Sequence, residues 1–257
     1  MKKRKDNFVE ENIDIATKTI NYIYKKGRGT PVVILHGAGA NAQVYSSLLK
    51  NYKMRNPVYI LTLPGFGKSE NIKRTFTLDH YSHLIYRFLE KKKIKKIILI
   101  GHSIGGALAI VFSRLYPKKI DRMIVASPAG LHPDKKLTLK RVEDSIKRGI
   151  SSLRKRRFVK RRGMFEMIKD VFNLNMWKEL DYFARFDITK YFPIKQIKSL
   201  ILWPLHDDCP ETPSTVANQF KKNIKNSKLI FVKGDHSFPL VYPKIFWKHI
   251  EKFLGLK

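Results

Sequence analysis

The pentapeptide Gly101-His102-Ser103-Ile104-Gly105 is the segment with the clearest potential for chemistry. It follows an apolar run, Ile97–Ile100, and leads into a segment with a helical pattern, Ile104–Tyr116. A serine at the tip of a strand-to-helix turn takes a strained backbone conformation, and glycine neighbours let the chain double back and expose its hydroxyl. The spacing therefore predicts a hydroxyl nucleophile at Ser103.

A second glycine-containing loop, His36-Gly37-Ala38-Gly39, directly follows the apolar run Val32–Leu35. A loop at the end of a strand can present a backbone N–H to the negative oxygen that develops when a nucleophile attacks a carbonyl. We assign the backbone N–H groups of Ala38 and Ile104 to that oxyanion hole. His36 itself is interpreted as structural, because it has no nucleophile of its own to activate in this loop.

A third motif, Leu63-Pro64-Gly65-Phe66-Gly67-Lys68-Ser69, follows the next apolar run and is a turn by composition. The His-Gly loop, this Pro-Gly-x-Gly-x-Ser turn and the Gly-x-Ser-x-Gly pentapeptide occur in an order that resembles the α/β-hydrolase superfamily. The resemblance extends from about Thr19 to Leu254, apart from one inserted segment. It implies a serine hydrolase of the esterase and lipase-like branch, whose triad occurs in the chain order Ser, acid, His.

The acid of that triad is expected after a later strand. The apolar run that ends at Trp203 is followed by Pro-Leu-His-Asp-Asp, where relatives carry Trp-Gly-x-x-Asp. Counting from Trp203 assigns the acid to Asp207, although Pro204 stands where the relatives have glycine. Asp208 and Asp134 remain alternatives, because Asp208 neighbours the assigned position and some relatives carry the acid after an earlier strand.

The general base is assigned to His236, because Gly234-Asp235-His236-Ser237-Phe238-Pro239 resembles the catalytic-histidine loop of the superfamily. A serine hydroxyl needs a base within hydrogen-bond reach to attack at neutral pH. His236 would supply that base, and Asp207 would fix its tautomer and stabilise the imidazolium. This chemistry requires no cofactor and no metal ion. Cys209, the single cysteine, is interpreted as an ordinary small residue.

Short β-branched runs alternate with helical patterns, which predicts an α/β protein of the α/β-hydrolase fold, with a mostly parallel central sheet and helices on both faces. The predicted strands are Thr19–Tyr24, Val32–Leu35, Val58–Leu63, Ile97–Ile100, Met123–Ala126, Leu200–Trp203 and Leu229–Val232. The predicted helices are Gln43–Asn51, Leu78–Glu90, Ile104–Tyr116, Pro213–Phe220 and Pro243–Leu254. Ligands of such a sheet bind at the carboxyl ends of the strands, where the motifs lie.

The alternation stops between about Pro133 and Pro193, where no strand pattern occurs. We therefore predict an α/β-hydrolase core formed by residues 1–132 and 194–257, with an inserted helical cap at residues 133–193. The first half of the cap is basic, and the second half is apolar and aromatic. Most of the apolar residues are expected to pack within the cap or on the core, and the remainder to line an acyl pocket above Ser103.

Lys and Arg number 52 against 21 Asp and Glu, so the formal net charge is +31. The segment from Lys135 to Arg162 is densely basic, with Glu143 and Asp144 as its acids. This charge indicates either a solvated face or a surface for something acidic: an anionic membrane, an acidic acyl carrier protein or a phosphorylated acyl substrate. Nucleic acid is disfavoured, because stacking platforms need several aromatic residues and Phe158 stands alone in this segment.

The N-terminal segment carries Asp6, Glu10 and Glu11 where a secretory signal needs an apolar run. One cysteine excludes an internal disulfide, as is typical of intracellular domains. The uncharged stretch Ile97–Ser113 is better interpreted as strand, turn and helix than as a membrane span, because glycines interrupt it where the turn would fall. Together these features predict a cytoplasmic protein.

The leading functional hypothesis is hydrolysis of a small-molecule carboxylic ester with a hydrophobic acyl group. A second hypothesis is a thioesterase or acyltransferase that acts on carrier-bound acyl chains. A third is a non-catalytic protein that binds through the basic cap, which the joint presence of Ser103, Asp207 and His236 disfavours. A serine at position 103 also disfavours the epoxide-hydrolase and dehalogenase branches, which use a carboxylate nucleophile.

Overall fold

The computed structural model of the chain describes residues 8–72, 76–131, 182, 186–207, 209 and 212–256. Within these residues, eight strands form one sheet in the spatial order β1-β2-β4-β3-β5-β6-β7-β8. The strands are β1 Val9–Ile15, β2 Lys18–Lys25, β3 Val32–Leu35, β4 Val58–Leu61, β5 Ile97–His102, β6 Ile120–Ala126, β7 Ser199–Pro204 and β8 Ser227–Val232. Strand β2 is antiparallel to β1 and β4, and the pairs from β4 to β8 are parallel. The predicted mostly parallel sheet is therefore confirmed.

Helices connect the parallel strands and cover the sheet. Among the described residues they are α1 Ala42–Tyr45, α2 Leu78–Lys91, α3 Ile104–Leu115, α4 Ala217–Asn223, α5 Phe238–Val241 and α6 Pro243–Leu254. Short 3₁₀ helices occur at Ser46–Asn51, Pro117–Lys119, Thr189–Tyr191 and Ser214–Val216. Pro243 opens the terminal helix, as the sequence predicts.

Two hydrophobic clusters lie on opposite faces of the sheet. Along β3, Val33 and Leu35 belong to one cluster and Val32 and Ile34 to the other, which is the period of two that a strand dictates. Side chains of α2, α3 and α4 complete the first cluster, and side chains of α1, α5 and α6 complete the second. Because both faces are covered, β3 is apolar throughout and β5 is apolar from Ile97 to Ile100, without an alternation of polar residues.

The seven predicted strands are all present, but the sequence interpretation missed β1. Strand β1 pairs with β2 along its whole length at the edge of the sheet, and most of its side chains are exposed. Its sequence, Val-Glu-Glu-Asn-Ile-Asp-Ile, therefore carries little of the apolar pattern by which strands are recognised. Helix α5 was also not predicted, because four residues are too few to show a helical period.

Two predicted helices differ in type from the observed ones. The predicted Gln43–Asn51 helix is a single α turn at Ala42–Tyr45 followed by the 3₁₀ helix Ser46–Asn51. The predicted Pro213–Phe220 helix begins as a 3₁₀ turn and continues as α4 to Asn223. Helix type depends on how the last turn packs, which periodicity alone does not distinguish.

Most of the predicted cap, at residues 133–193, lies outside the described residues, so its organisation stays a prediction. Of the segment that is described, Phe186, Ile188 and Tyr191 are buried in the cluster that also contains α2 and α3. In the part of the chain that the structure describes, no helix has both the length and the apolar character needed to span a membrane.

Candidate active site

Ser103 lies at the junction of β5 and α3 in a backbone conformation that side-chain-bearing residues rarely adopt. Its φ is 55° and its ψ is −119°. The Ser103 N–H donates to the carbonyl of Ala126 at 2.9 Å, and the Ser103 carbonyl accepts from the N–H groups of Ala129 at 3.1 Å and Gly106 at 2.9 Å. These bonds, which anchor the turn to the end of β6, hold the strained conformation in place.

The two glycines of the pentapeptide are required by close backbone contacts. A Cβ atom on Gly101 would lie 2.1 Å from the carbonyl oxygen of Gly105. A Cβ atom on Gly105 would lie 2.4 Å from the carbonyl oxygen of Leu35 at the end of β3. Strand β5, helix α3 and strand β3 therefore meet at distances that only glycine permits, and Ser103 is carried on that junction.

The His36-Gly37-Ala38-Gly39 loop lies against the serine. A Cβ atom built on Gly37 would lie 3.3 Å from the Cβ of Ser103. Ala38 is partly buried and Ile104 is buried at the start of α3. The loop is thus beside the serine, as the oxyanion assignment requires, and the assignment of the two N–H donors stays a prediction.

His36 is a buried histidine that connects the loop to the next strand. Its Nε2 accepts from the Leu63 N–H at 2.9 Å, so the ring proton is on Nδ1, which donates to the Gly37 carbonyl at 2.8 Å. Burial lowers the pKa of His36 to about 4. The ring is therefore neutral at physiological pH, and these contacts agree with a structural role.

Asp207 and His236 are hydrogen-bonded to each other on the loops that follow β7 and β8. His236 Nδ1 lies 3.0 Å from Asp207 Oδ1 and 3.2 Å from Oδ2. The Asp207 side chain is fully buried, and Oδ1 also accepts from the Cys209 N–H at 3.0 Å. Burial on its own lowers the pKa of His236, but Cys209 and the Asp207 carboxylate outweigh it and raise that pKa well above its usual value.

The His236 loop is also bonded to the residue that precedes the serine. His102 Nε2 donates to the backbone carbonyl of His236 at 2.9 Å, and the two imidazole rings are 4.8 Å apart between centroids. The structure thus brings Ser103, Asp207 and His236 to one end of the sheet, past the carboxyl ends of β5, β7 and β8. The alternative acids Asp208 and Asp134 lie outside the described residues.

The sequence interpretation missed a hydrogen-bonded connection between the two sides of this site. The Gly37 N–H donates to the Tyr45 hydroxyl at 3.1 Å, and that hydroxyl donates to His102 Nδ1. His102 in turn donates to the His236 carbonyl, and burial lowers the pKa of His102 well below its usual value. His102 is visible as part of the pentapeptide, but no local pattern indicates that Tyr45, 57 residues earlier, contacts it.

Thr212 and Cys209 were also missed as neighbours of the imidazole. Thr212 Oγ1 lies 3.0 Å from His236 Nδ1, and the Thr212 carbonyl accepts from the indole of the buried Trp203 at 3.2 Å. The Cys209 side chain is buried and hydrogen-bonds His236. The interpretation of Cys209 as an ordinary small residue overlooks this contact. Donor atoms of Asp207, Cys209 and His236 all lie within 4.8 Å of one another, and this set suits a metal ion.

Comparison with known proteins agrees with the fold. A profile of the alpha/beta hydrolase fold family matches residues 30–145, which contain both the His-Gly loop and the Ser103 pentapeptide. The chain has the α/β-hydrolase fold. The solved structure of a membrane phospholipase A, described as a novel bacterial virulence factor, superposes with a TM-score of 0.80 over 97% of this chain and 86% of that one. At 17% sequence identity, that likeness supports this α/β-hydrolase fold alone.

Two curated relatives carry functional names. "Putative esterase/lipase 2" of Mycoplasma genitalium is 32% identical over 105 residues, or 40% of this chain and 39% of the relative. The "1-acylglycerol-3-phosphate O-acyltransferase ABHD5" of Rattus norvegicus is 28% identical over 116 residues, or 44% of this chain and 33% of the relative. The matched segments thus span between 29% and 39% of the length of the first curated relatives of this chain.

Proposed function

We propose that this α/β-hydrolase is a serine hydrolase that cleaves a carboxylic ester with a hydrophobic acyl group through an acyl-enzyme intermediate. The observation that carries the proposal is the strained turn at Ser103, held beside the loop in which His236 is bonded to Asp207. Backbone strain of this kind is concentrated at active sites. An acid-paired histidine next to it supplies the base that a hydroxyl nucleophile needs.

In the proposed mechanism, His236 Nε2 accepts the Ser103 hydroxyl proton as Oγ attacks the ester carbonyl. The imidazolium that forms is stabilised by the Asp207 carboxylate, which keeps the remaining ring proton on Nδ1. The tetrahedral oxyanion accepts hydrogen bonds from the backbone N–H groups of Ala38 and Ile104, each worth about 3 kcal/mol. His236 then protonates the departing alcohol, and a water molecule activated by His236 releases the acyl group.

The name of the rat relative, an acyltransferase, supports a second candidate function, transfer of the acyl group to an alcohol. Hydrolysis and transfer share the acyl-enzyme intermediate and differ in the acceptor, which is water in one case and a hydroxyl compound in the other. A thioester donor enters the same pathway. The ester hydrolase is preferred because the Mycoplasma relative, which is more similar in sequence, carries an esterase and lipase name.

The first experiment is labelling with a fluorophosphonate probe, followed by turnover of p-nitrophenyl esters of increasing acyl length. Ser127→Ala is a matched control, because Ser127 is buried, follows the adjacent strand β6 and also has a positive φ, of 42°. We expect labelling of the wild type and of Ser127→Ala but not of Ser103→Ala. Labelling of Ser103→Ala at the wild-type rate would contradict the nucleophile assignment.

A second assay separates hydrolysis from acyl transfer. The enzyme is given a p-nitrophenyl ester with rising concentrations of 1-acylglycerol 3-phosphate, and both the free acid and the diacyl product are measured. A hydrolase yields the free acid at every acceptor concentration. A product ratio that shifts to the diacyl compound, with the total rate maintained, would favour the transferase.

We also propose that the basic segment from Lys135 to Arg162 meets an acidic partner, either an anionic membrane surface or an acyl carrier protein, and that the protein acts in the cytoplasm. The change of Arg154, Lys155, Arg156 and Arg157 to glutamate should leave turnover of a small neutral ester nearly unchanged. In this variant, turnover of an ester in anionic vesicles or on a carrier protein should be severalfold lower than in the wild type. The wild-type rate on these substrates should also fall as the salt concentration rises. Turnover of the vesicle-borne and the carrier-bound ester that does not depend on salt would contradict an acidic partner. Cell fractionation tests the proposed cytoplasmic location.

A further inference from the structure

The side chains of Asp207 and Cys209 both contact the imidazole of His236. The Asp207 carboxylate is 3.0 Å from Nδ1 of that ring, and the Cys209 thiol hydrogen-bonds the same imidazole. The oxygen, sulfur and nitrogen atoms all lie within 4.8 Å of one another. A Ser-His-Asp mechanism uses the carboxylate and the imidazole, but it has no use for a thiol at this position.

We propose that Asp207, Cys209 and His236 form a binding site for Zn²⁺ and that occupation of this site switches the enzyme off. Tetrahedral zinc takes thiolate sulfur at about 2.3 Å and imidazole nitrogen or carboxylate oxygen at about 2.0 to 2.2 Å. These bond lengths place neighbouring ligand atoms about 3.3 to 3.6 Å apart. Asp207 Oδ1 and His236 Nδ1 are 3.0 Å apart, and the oxygen, sulfur and nitrogen atoms of the three side chains all lie within 4.8 Å of one another, so the ligands would have to adjust to reach zinc distances.

The composition and burial of the site favour a soft divalent ion. A thiolate ligand selects zinc over magnesium and calcium, which prefer oxygen. Cys209 is 7% exposed and the Asp207 side chain is fully buried, whereas the His236 side chain is 17% exposed. The metal would therefore enter from the imidazole side and bind against two ligands that are already shielded from water.

The inhibitory consequence rests on the proposed function. A neutral imidazole carries one proton, and Nδ1 holds it when Asp207 accepts its hydrogen bond. When zinc binds to Nδ1, that proton moves to Nε2, and the Cys209 thiol releases its own proton to solvent. Nε2–H cannot accept the proton of Ser103, so zinc binding produces the wrong tautomer for a general base.

Binding is tested without activity, in the Ser103→Ala variant with any affinity tag removed. Co²⁺ is the probe, because a thiolate bound to Co²⁺ gives a charge-transfer band in the near ultraviolet. The chain has a single cysteine, so such a band reports on Cys209 alone. We expect the band to saturate at one equivalent, to disappear when Zn²⁺ is added, and to be absent from Ser103→Ala/Cys209→Ala. The absence of a band in Ser103→Ala would overturn the site.

Inhibition is tested by ester turnover in buffered Zn²⁺, with each variant normalised to its own metal-free rate. We expect half-inhibition of Cys209→Ala to require at least about tenfold more Zn²⁺ than half-inhibition of the wild type. Loss of a residue that only contacts a metal ligand already lowers metal affinity by about tenfold or more, so loss of a ligand should cost at least as much. Ser127→Ala should respond like the wild type, and Mg²⁺ should have no effect. Equal inhibition of Cys209→Ala and the wild type would overturn the role of Cys209. Saturating Co²⁺ and Zn²⁺ binding without inhibition would overturn the switch, and if no ester is turned over, the Co²⁺ band still decides the site.

Discussion

The two sides of the candidate site are held together by different means. On the Ser103 side, backbone meets backbone, and a side chain at Gly101 or Gly105 would lie within 2.4 Å of a carbonyl oxygen. On the His236 side, the geometry depends on side-chain hydrogen bonds, namely those of Asp207 and Thr212 with the imidazole. Close backbone contact dictates the residue type, whereas several polar residues can serve in a side-chain network. The first side is therefore conspicuous in the sequence and the second is not.

Three histidines near the site differ in their hydrogen-bond partners and in the direction of their pKa shifts, and this difference indicates which of them is suited to proton transfer. His36 and His102 are buried among neutral hydrogen-bond partners, and burial lowers the pKa of each. His236 is buried too, but Asp207 and Cys209 raise its pKa. Of these three, His236 is the one hydrogen-bonded to a carboxylate, so it is the one suited to carry a proton during a reaction.

The largest expected effect comes from removing the nucleophile, the base or both. Ser103→Ala and His236→Ala should each lower kcat by roughly a thousandfold or more, and the double variant should be scarcely slower than either one, because triad members act as a unit. Steady-state turnover of a p-nitrophenyl ester measures this. Multiplicative losses in the double variant would show that the two residues act independently and would contradict the triad.

The next effect tests which aspartate is the acid paired with His236. Asp207→Asn keeps the size of the side chain but reverses the preferred tautomer of His236. It should lower kcat by up to about ten-thousandfold, a smaller loss than the triad serine or histidine causes. Asp208→Asn is the matched control and should retain most of the activity. Circular dichroism of both variants checks that the fold is retained. The reverse order of activities would move the acid one residue along the chain.

A smaller effect tests the close backbone contacts on the Ser103 side of the site. Gly105→Ala forces a Cβ atom to within 2.4 Å of the Leu35 carbonyl oxygen, and we expect it to lower the free energy of unfolding by about 3 kcal/mol. Gly255→Ala is the control, because Gly255 has a φ of 75° but no atom within 4 Å of the added Cβ. Its loss should be about 1 kcal/mol, from backbone strain alone. Urea unfolding measures both, and a loss for Gly105→Ala no larger than that for Gly255→Ala would contradict the close-contact explanation for the glycine at position 105.

The same contrast explains which features were predictable from the sequence. The central strands were found because burial on both faces leaves uninterrupted apolar runs such as Val32–Leu35. Strand β1 was missed because its side chains face solvent at the sheet edge. Asp207 and His236 were assigned from a resemblance that supplied their order in the chain. Tyr45 and Thr212 had no such guide, because their roles depend on contacts between distant segments.

The smallest effect concerns His36, which connects the His36-Gly37-Ala38-Gly39 loop to the segment after β4. Its pKa is about 4 in the folded protein, against an ordinary value of 6.5. Between these two pH values the unfolded chain binds a proton at this position and the folded chain does not, so stability falls as pH decreases from 6.5 to 4. At pH 5 this histidine should cost about 2 kcal/mol relative to pH 7. Urea unfolding at both pH values measures how far the free energy of unfolding falls from pH 7 to pH 5. This fall should be about 2 kcal/mol smaller in His36→Gln than in the wild type, and it should be unchanged in the exposed control His83→Gln. An unchanged pH dependence in His36→Gln would mean that the His36 ring is not held neutral by burial, and its bond from the Leu63 N–H would then need another explanation.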